Sequence, residues 1–189
     1  YIIGQINSPK YSNEFLNIGV GARSLAMSNS VITSTQGAMA GYWNPANLAN
    51  MKKDIQIGLM HAEYFAGIAK YDLGSIVKKL DDKSSFGFSF IRFGVDNIPN
   101  TTELIDAQGN INYDIITYFS SADLAFICSY GKKVNDYLSV GGSVKIINRK
   151  AGDFAKAWGF GIDISSTYKK NDWGIAIVAK DVTSTFNVW

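Results

Sequence analysis

The chain is poor in the residues that build chemistry: one cysteine, one histidine and three prolines in 189 residues. A lone cysteine, Cys128, closes no intramolecular disulfide and supplies no cysteine-based metal site. It reads as an apolar side chain, buried or facing lipid. A lone histidine, His61, assembles no histidine metal site and reads as a structural residue near the outer end of the first strand. Charge is scarce as well, 18% of residues against about 25% in an average soluble domain. The net charge is only +2. The basic residues are scattered as pairs (Lys52-Lys53, Lys132-Lys133, Lys169-Lys170), which argues against nucleic acid as a partner. No apolar run approaches the roughly 18–20 residues of a transmembrane helix, which excludes an α-helical membrane protein and leaves a β-barrel open. No basic stretch followed by an apolar one stands at Tyr1, so the chain is cytoplasmic or has lost a signal peptide. No Gly-x-Ser-x-Gly elbow occurs, and "GVGARS" lacks the Gly-Lys-Ser/Thr ending of a phosphate loop. The reading is non-enzymatic, with no cofactor.

What the chain does have is apolar residues (47%), aromatics (13%) and 18 glycines. From Asp54 onward it divides into segments of about 9–13 residues with period-two patterning. In Tyr137 to Arg149, Leu138, Val140, Val144 and Ile146 share one face. Ser139, Gly141, Ser143, Lys145 and Arg149 share the other, and Ile147 is the exception. In Lys156 to Tyr168, Trp158, Phe160, Ile162 and Ile164 alternate with Gly159, Gly161, Asp163 and Ser165. Ala122 to Lys132, Asp172 to Lys180 and Ser84 to Phe93 repeat the pattern. Ile55 to Glu63 and Ala66 to Val77 are weaker; in the latter Lys70 and Asp72 alternate with Tyr71 and Leu73. About seven antiparallel strands result, an all-β fold. Small polar residues on one face and an aromatic-edged apolar band on the other fit a membrane barrel with a polar lumen. The lumen side would carry the charges Lys70, Asp72, Lys145, Arg149 and Asp163, as a structural network. A soluble barrel with the faces reversed has the same pattern.

The connections separate the two. The turns at Asp81-Asp82, Asn135-Asp136 and Asn171-Asp172 are tight, and most of the others are longer. Outer-membrane barrels alternate short periplasmic turns with longer outer loops. The longest connection, Gly94 to Ser121, would lie outside. It holds Asp96, Glu103, Asp106 and Asp114, a solvated loop or, alternatively, a calcium site. It also holds Ile98, Pro99, Leu104, Ile115 and Phe119, apolar residues that a purely solvated loop does not need and that suit a partner surface.

Residues 13–50 lack alternation, are rich in Gly, Ala and Ser, and hold few charges. Such a stretch packs inside something better than it serves as a linker. "FLNIGVGARSLAM" followed by "YWNPANLA" resembles the N-terminal region of the PorV/PorQ family, outer-membrane proteins related to the FadL fatty-acid transporters. The likeness runs through "KYDLG", "FGFSFIRFGVDNIPNT", "GGSVKIINR" and "AWGFGID" to "DVTSTFN". The wider family often carries Asp-Asp-Ala upstream of Asn-Pro-Ala, where this chain reads Thr35-Gln36-Gly37-Ala38.

The resemblance implies a FadL-like transmembrane barrel of which this chain covers about half. Residues 1–53 would be a hatch or plug, with Gly19, Gly21, Arg23, Asn44, Pro45 and Ala46 in it, and 54–189 the first strands. Asn44-Pro45 would mark the turn out of the lumen. The open edges call for a longer native chain or for strands from another chain. The implied location is the bacterial outer membrane, in contact with its lipid bilayer or lipopolysaccharide. The implied role is in type IX secretion, binding exported cargo, the translocon or surface attachment proteins. The alternative is a FadL-like transporter of hydrophobic small molecules, and a third reading is a soluble β-barrel binding protein.

Overall fold

The computed structural model describes residues 13–105, 109, 111–183 and 186–188. One antiparallel sheet, curled into a partial barrel, forms the wall. Its strands are β1 (Ile55–Tyr64), β2 (Ala69–Lys79), β3 (Ser84–Asn100), β4 (Thr117–Lys133), β5 (Leu138–Ala151), β6 (Ala155–Lys170), β7 (Trp173–Ala179) and β8 (Phe186–Val188). The order follows the chain from β1 to β7, and β8 pairs with β6 beyond the end of β7. Residues 13–54 contain no strand. They carry two one-turn helices, α1 (Ala22–Ala26) and α2 (Ala40–Trp43), and 3-10 turns at Glu14–Asn17, Gly37–Met39 and Pro45–Asn50. This segment lies against the concave face of the sheet.

Period-two burial follows from the pleat: successive side chains point to opposite faces. On β5, Ser139, Ser143, Lys145 and Ile147 are buried, whereas Val140, Val144 and Ile146 are exposed. The position of Ile147 is thereby explained, since it packs inward with Phe15, Leu16 and Trp43 in one core. On β6, Trp158, Phe160 and Ile164 are exposed and Asp163, Ser165 and Thr167 are buried. Cys128 is exposed on the convex face of β4.

On β2 the faces are the reverse of the expectation. Tyr71, Leu73 and Val77 point inward and are buried. Lys70 and Asp72 therefore lie on the outer face, not in the lumen. The reason is packing: at this end of the sheet the concave surface meets the apolar side of the N-terminal segment. Tyr71, Leu73, Ile91, Ala125 and Ile127 join Phe15, Leu16, Val20, Tyr42 and Trp43 in one cluster. A charge there would be buried without water, at a cost of several kcal/mol.

The long connection is also shorter than the sequence suggests. β3 continues to Asn100 and β4 begins at Thr117. Asp96, Ile98, Pro99 and Phe119 are thus strand residues of a tall hairpin, and only 101–116 is connection. Alternation fails at a bulge between Val95 and Ile98, where Asn97 takes a φ of +59°. An extra residue at a bulge shifts every later side chain to the other face, which hides the strand from a periodicity reading. Leu104 and Ile115 lie within 101–116, Ile115 in a 3-10 turn at Tyr113–Ile115. Asp106 lies outside the described residues.

The opposite end of the sheet has tight turns. In the β2–β3 turn the Asp81 carboxylate accepts from Ser84 Oγ at 2.8 Å and from the Lys83 amide at 2.7 Å. These two donors hold its carboxyl below the usual carboxylate range. In the β4–β5 turn Asn135 Oδ1 accepts from the amides of Tyr137 and Leu138.

Candidate functional site: the seat of the N-terminal segment

The Asn-Pro-Ala turn is fixed deep in the concavity by what the wall omits. Asn44 has extended geometry, φ −158° and ψ 98°, as a residue before proline requires. Its Oδ1 accepts from the Ala46 amide at 3.0 Å and so caps the Pro45–Asn50 turn, with proline at the first position. Below the turn, β4 and β5 present glycines. A Cβ on Gly141 would lie 2.3 Å from Ala46 N, and one on Gly131 would lie 2.3 Å from Pro45 O. Only hydrogen on these two wall residues allows the segment's backbone to come so close. The chain leaves the concavity later than expected, after Asn50 and not at Pro45, because the 3-10 turn runs on along the wall. Asn44, Ala46 and Leu48 are fully buried.

Around this contact the wall supplies hydroxyls. Ser165 Oγ accepts from the Ala46 amide at 2.9 Å, and Thr167 Oγ1 accepts from Asn44 Nδ2 at 2.8 Å. Ser129 Oγ donates to the Gly41 carbonyl at 3.0 Å and lies 2.8 Å from Ser143 Oγ. Ser75 Oγ donates to the Ala38 carbonyl at 2.7 Å and lies 2.8 Å from Ser89 Oγ. Short helical turns leave backbone groups unpaired at both ends. Here the serines satisfy several of them and the threonine satisfies the Asn44 side-chain amide, so the segment can be buried at little polar cost.

A second anchor is ionic. Lys145 on β5 lies 2.8 Å from Asp163 on β6 and 2.8 Å from Asp181, which follows β7. The Asp181 amide donates to Asp163 Oδ1 at 2.8 Å, and Asn13 Nδ2 reaches Asp181 Oδ2 at 3.5 Å. Gly161 makes room, since a Cβ there would fall 2.4 Å from Asp181 Oδ1. The preceding residue, Lys180, places Nζ 5.3 Å from the Tyr42 ring centroid and 5.5 Å from that of Trp43, a cation–π arrangement. Trp43 Nε1 donates to the Val20 carbonyl at 3.0 Å, and the Tyr42 hydroxyl donates to that of Leu16. Burial pushes the Tyr42 phenol up to about 12. Asp181 and Lys180 escaped the sequence reading, because β6 pairing with both β7 and β8 turns the residues between them inward, and no periodicity announces that.

The remaining residues separate into groups. Gly19 and Gly21 adopt φ of +96° and +89°, conformations that favour glycine. The Gly21 amide meets Met60 Sδ at 3.0 Å. Arg23 on α1 is exposed and lines, with Ser24, Ser34, Thr35 and Gln36, a cleft of about 580 Å³ in the N-terminal segment. Arg149 pairs with Asp123 at 2.7 Å on the inner face, apart from the Lys145 cluster. On the outer face, His61 lies 2.6 Å from Asp72, Arg92 lies 2.9 Å from Asp96 and 3.8 Å from Asp72, and Lys70 lies 3.7 Å from Asp96. Among the described residues no group of three or more His, Cys, Asp and Glu could hold a metal ion.

This geometry is a holding site: the wall hydroxyls of Ser75, Ser129, Ser165 and Thr167 meet backbone or side-chain groups of the segment. No curated protein matches the chain. A family model described as type IX secretion system protein PorV matches residues 7–182. An apolar-faced antiparallel wall agrees with a family whose members are outer-membrane components of that system. The chain belongs to the PorV family of type IX secretion system proteins.

Proposed function

We propose that residues 1–53 are a fixed hatch in an outer-membrane barrel, and that the barrel works through its rim. Exported cargo, the translocon or surface attachment proteins would bind at the β3–β4 hairpin. Of the hatch, residues 1–12 lie outside the described residues. One observation carries the reading: the concave wall is taken up by a segment hydrogen-bonded to β2, β4 and β6 and closed by the Lys145–Asp163–Asp181 cluster. We read a wall so occupied as favouring a contact role over transport of hydrophobic molecules as the main activity. The contact role then falls to the surface. β3 and β4 are 17 residues each, against 10 in β1 and 11 in β2, so this hairpin stands above its neighbours. It carries Ile98, Pro99 and Phe119, with Leu104 and Ile115 beyond.

Shortening 101–116 to a four-residue turn tests this. The barrel is expected to fold and reach the membrane, and to lose co-purification of a secreted protein or a larger barrel. Retained co-purification would place the contact elsewhere. A fatty acid bound in stoichiometric amount would favour the transporter.

The same reading sets the orientation, with the tight turns at Asp81, Asn135 and Asn171 periplasmic. In a Cys128→Ser background, a cysteine at Thr102 is expected to react with an impermeant maleimide on intact cells and one at Asn135 is not; the opposite result would invert the barrel. The lipid-facing side is tested by substitution. Val144 is 41% exposed on the outer face. Val144→Arg is expected to destabilise the folded barrel in liposomes by about 2–4 kcal/mol, the cost of a midplane cation. A cost near zero would mean that this face meets water.

A further inference from the structure

The outer apolar band has two heights. On β4 the outward side chains between Lys132 and Ser120 are Tyr130, Cys128, Phe126, Leu124 and Ala122. On β5, between Asp136 and Asn148, they are Leu138, Val140, Gly142, Val144 and Ile146. On β6 the band runs from Lys170 to Lys156, with Ser166 its one polar member. These limits are twelve, twelve and fourteen residue steps apart by residue number, about 40–46 Å along the strand, or roughly 28–33 Å of thickness at a tilt of about 45°. That is enough for the apolar band of about 25 Å expected of such barrels.

The band on β1, β2 and β3 is much lower. Ile55, Ile57 and Leu59 lie between Lys53 and His61, and Phe86, Phe88 and Phe90 between Ser84 and Arg92. On β2 only Gly74 and Ile76 separate Asp72 from Lys78. Six to eight steps give about 20–26 Å along the strand and roughly 14–19 Å of thickness. Ile57 and Leu59 are 69% and 80% exposed, so these positions are open to lipid. Above them stand six ionisable residues, His61, Glu63, Lys70, Asp72, Arg92 and Asp96.

His61, Asp72, Arg92, Leu124 and Asn148 are consecutive partners in one cross-strand row, charged on β1–β3, apolar on β4 and polar on β5. Counted from the lower limit of its own strand, His61 is eight steps up from Lys53 and Leu124 is eight steps up from Lys132. At an equal distance along the strand from that limit, one is charged and the other apolar. Charged side chains on the lipid face are destabilising in hydrocarbon and nearly neutral at the interface.

We propose that the lipid layer is thinner along β1–β3 than along β4–β6, with headgroups and water of the outer leaflet descending to the His61–Asp72–Arg92 row. This rests on the reading that the outer face meets lipid. The charges favour a hydrated headgroup layer over a charged protein. They already pair among themselves, His61 with Asp72 and Arg92 with Asp96, and leave no block of one sign to complement. A shorter hydrophobic wall draws the bilayer in at modest cost per ångström, whereas burying six ionisable groups in lipid tails would cost far more.

Spin labels at His61→Cys and Leu124→Cys, in a Cys128→Ser background and in phosphatidylcholine liposomes, test this. The expected result is collision mainly with a water-soluble nickel chelate at His61 and mainly with oxygen at Leu124, so that the depth parameter changes sign between them. Glu63→Cys, one outward position higher, repeats the measurement with the His61–Asp72 pair intact and is expected to match His61. Oxygen dominating at all three sites would overturn the proposal while leaving the lipid-facing reading in place. Nickel dominating at Leu124 would overturn the lipid-facing reading itself. Low collision with both reagents at His61 and Glu63 would mean that protein covers this face, and would also overturn the proposal.

Discussion

Gly141→Leu is expected to unseat the N-terminal segment from the wall. Its Cβ alone would stand 2.3 Å from Ala46 N and 2.4 Å from the Pro45 carbonyl carbon. Both are backbone atoms and cannot rotate aside. Ala46 is fully buried and its amide is already committed to Ser165 Oγ at 2.9 Å, so a shift of the turn breaks that bond as well. Overpacking costs about 1–3 kcal/mol where side chains can adjust, and occasionally more. With a backbone obstacle and a lost hydrogen bond, a loss of about 3 kcal/mol or more in urea unfolding is expected. Trypsin should then cut at Arg23 while the strands remain protected. Gly74→Leu is the control. Gly74 lies on the outer face, and a Cβ there would meet nothing nearer than Leu59 Cδ2 at 3.8 Å. It is expected to be neutral or slightly stabilising, since glycine is a poor strand residue. Equal effects of the two substitutions would show that the hatch contact contributes nothing.

That contact also marks where the sequence stops being legible. Period-two alternation showed which residues share a face, because each strand packs one side against something different from the other. It did not show which face is inside. On β5 and β6 the inner face is polar, with Ser143 and Ser165, and the expectation of a polar lumen matches their burial. On β2 the inner face is Tyr71 and Leu73, packed on Phe15 and Leu16, and the same expectation reversed Lys70 and Asp72. The lumen is polar where it meets helical turns with unpaired backbone and apolar where it meets hydrophobic side chains. Only the N-terminal segment decides which, and its course has no periodicity to read. The Asn-Pro-Ala turn was visible as a motif, but its seat was not, because Gly131 and Gly141 acquire meaning only when the register sets them beneath Pro45 and Ala46. The β3–β4 hairpin was misjudged for a local reason, the bulge at Asp96 and Asn97.

Lys145→Met is expected to cost about 3–5 kcal/mol, the range for breaking a buried ion pair by removing one partner. The Lys145 side chain is 4% exposed and lies 2.8 Å from both Asp163, 8% exposed, and Asp181, 30% exposed. Without the ammonium, two carboxylates share a pocket with little water, and nothing else of positive charge lies as close to Asp163 among the described residues. The loss extends beyond electrostatics. Asp181 also touches Asn13 and follows Lys180, whose ammonium sits over Tyr42 and Trp43. Freed from Lys145, the 180–183 segment can leave the concavity and take its contacts with the hatch along. A second variant separates the two effects. Lys145→Met with Asp163→Leu removes the lone buried charge but still releases Asp181. If the ion pair acts only through desolvated charge, the double variant regains most of the loss, since apolar replacement of buried pairs is often neutral. If the cluster is the latch between wall and hatch, stability returns in part while trypsin still cuts at Arg23. Urea unfolding in detergent together with that cleavage decides between them. A Lys145→Met barrel as stable as the parent, with Arg23 protected, would refute a holding role for the cluster.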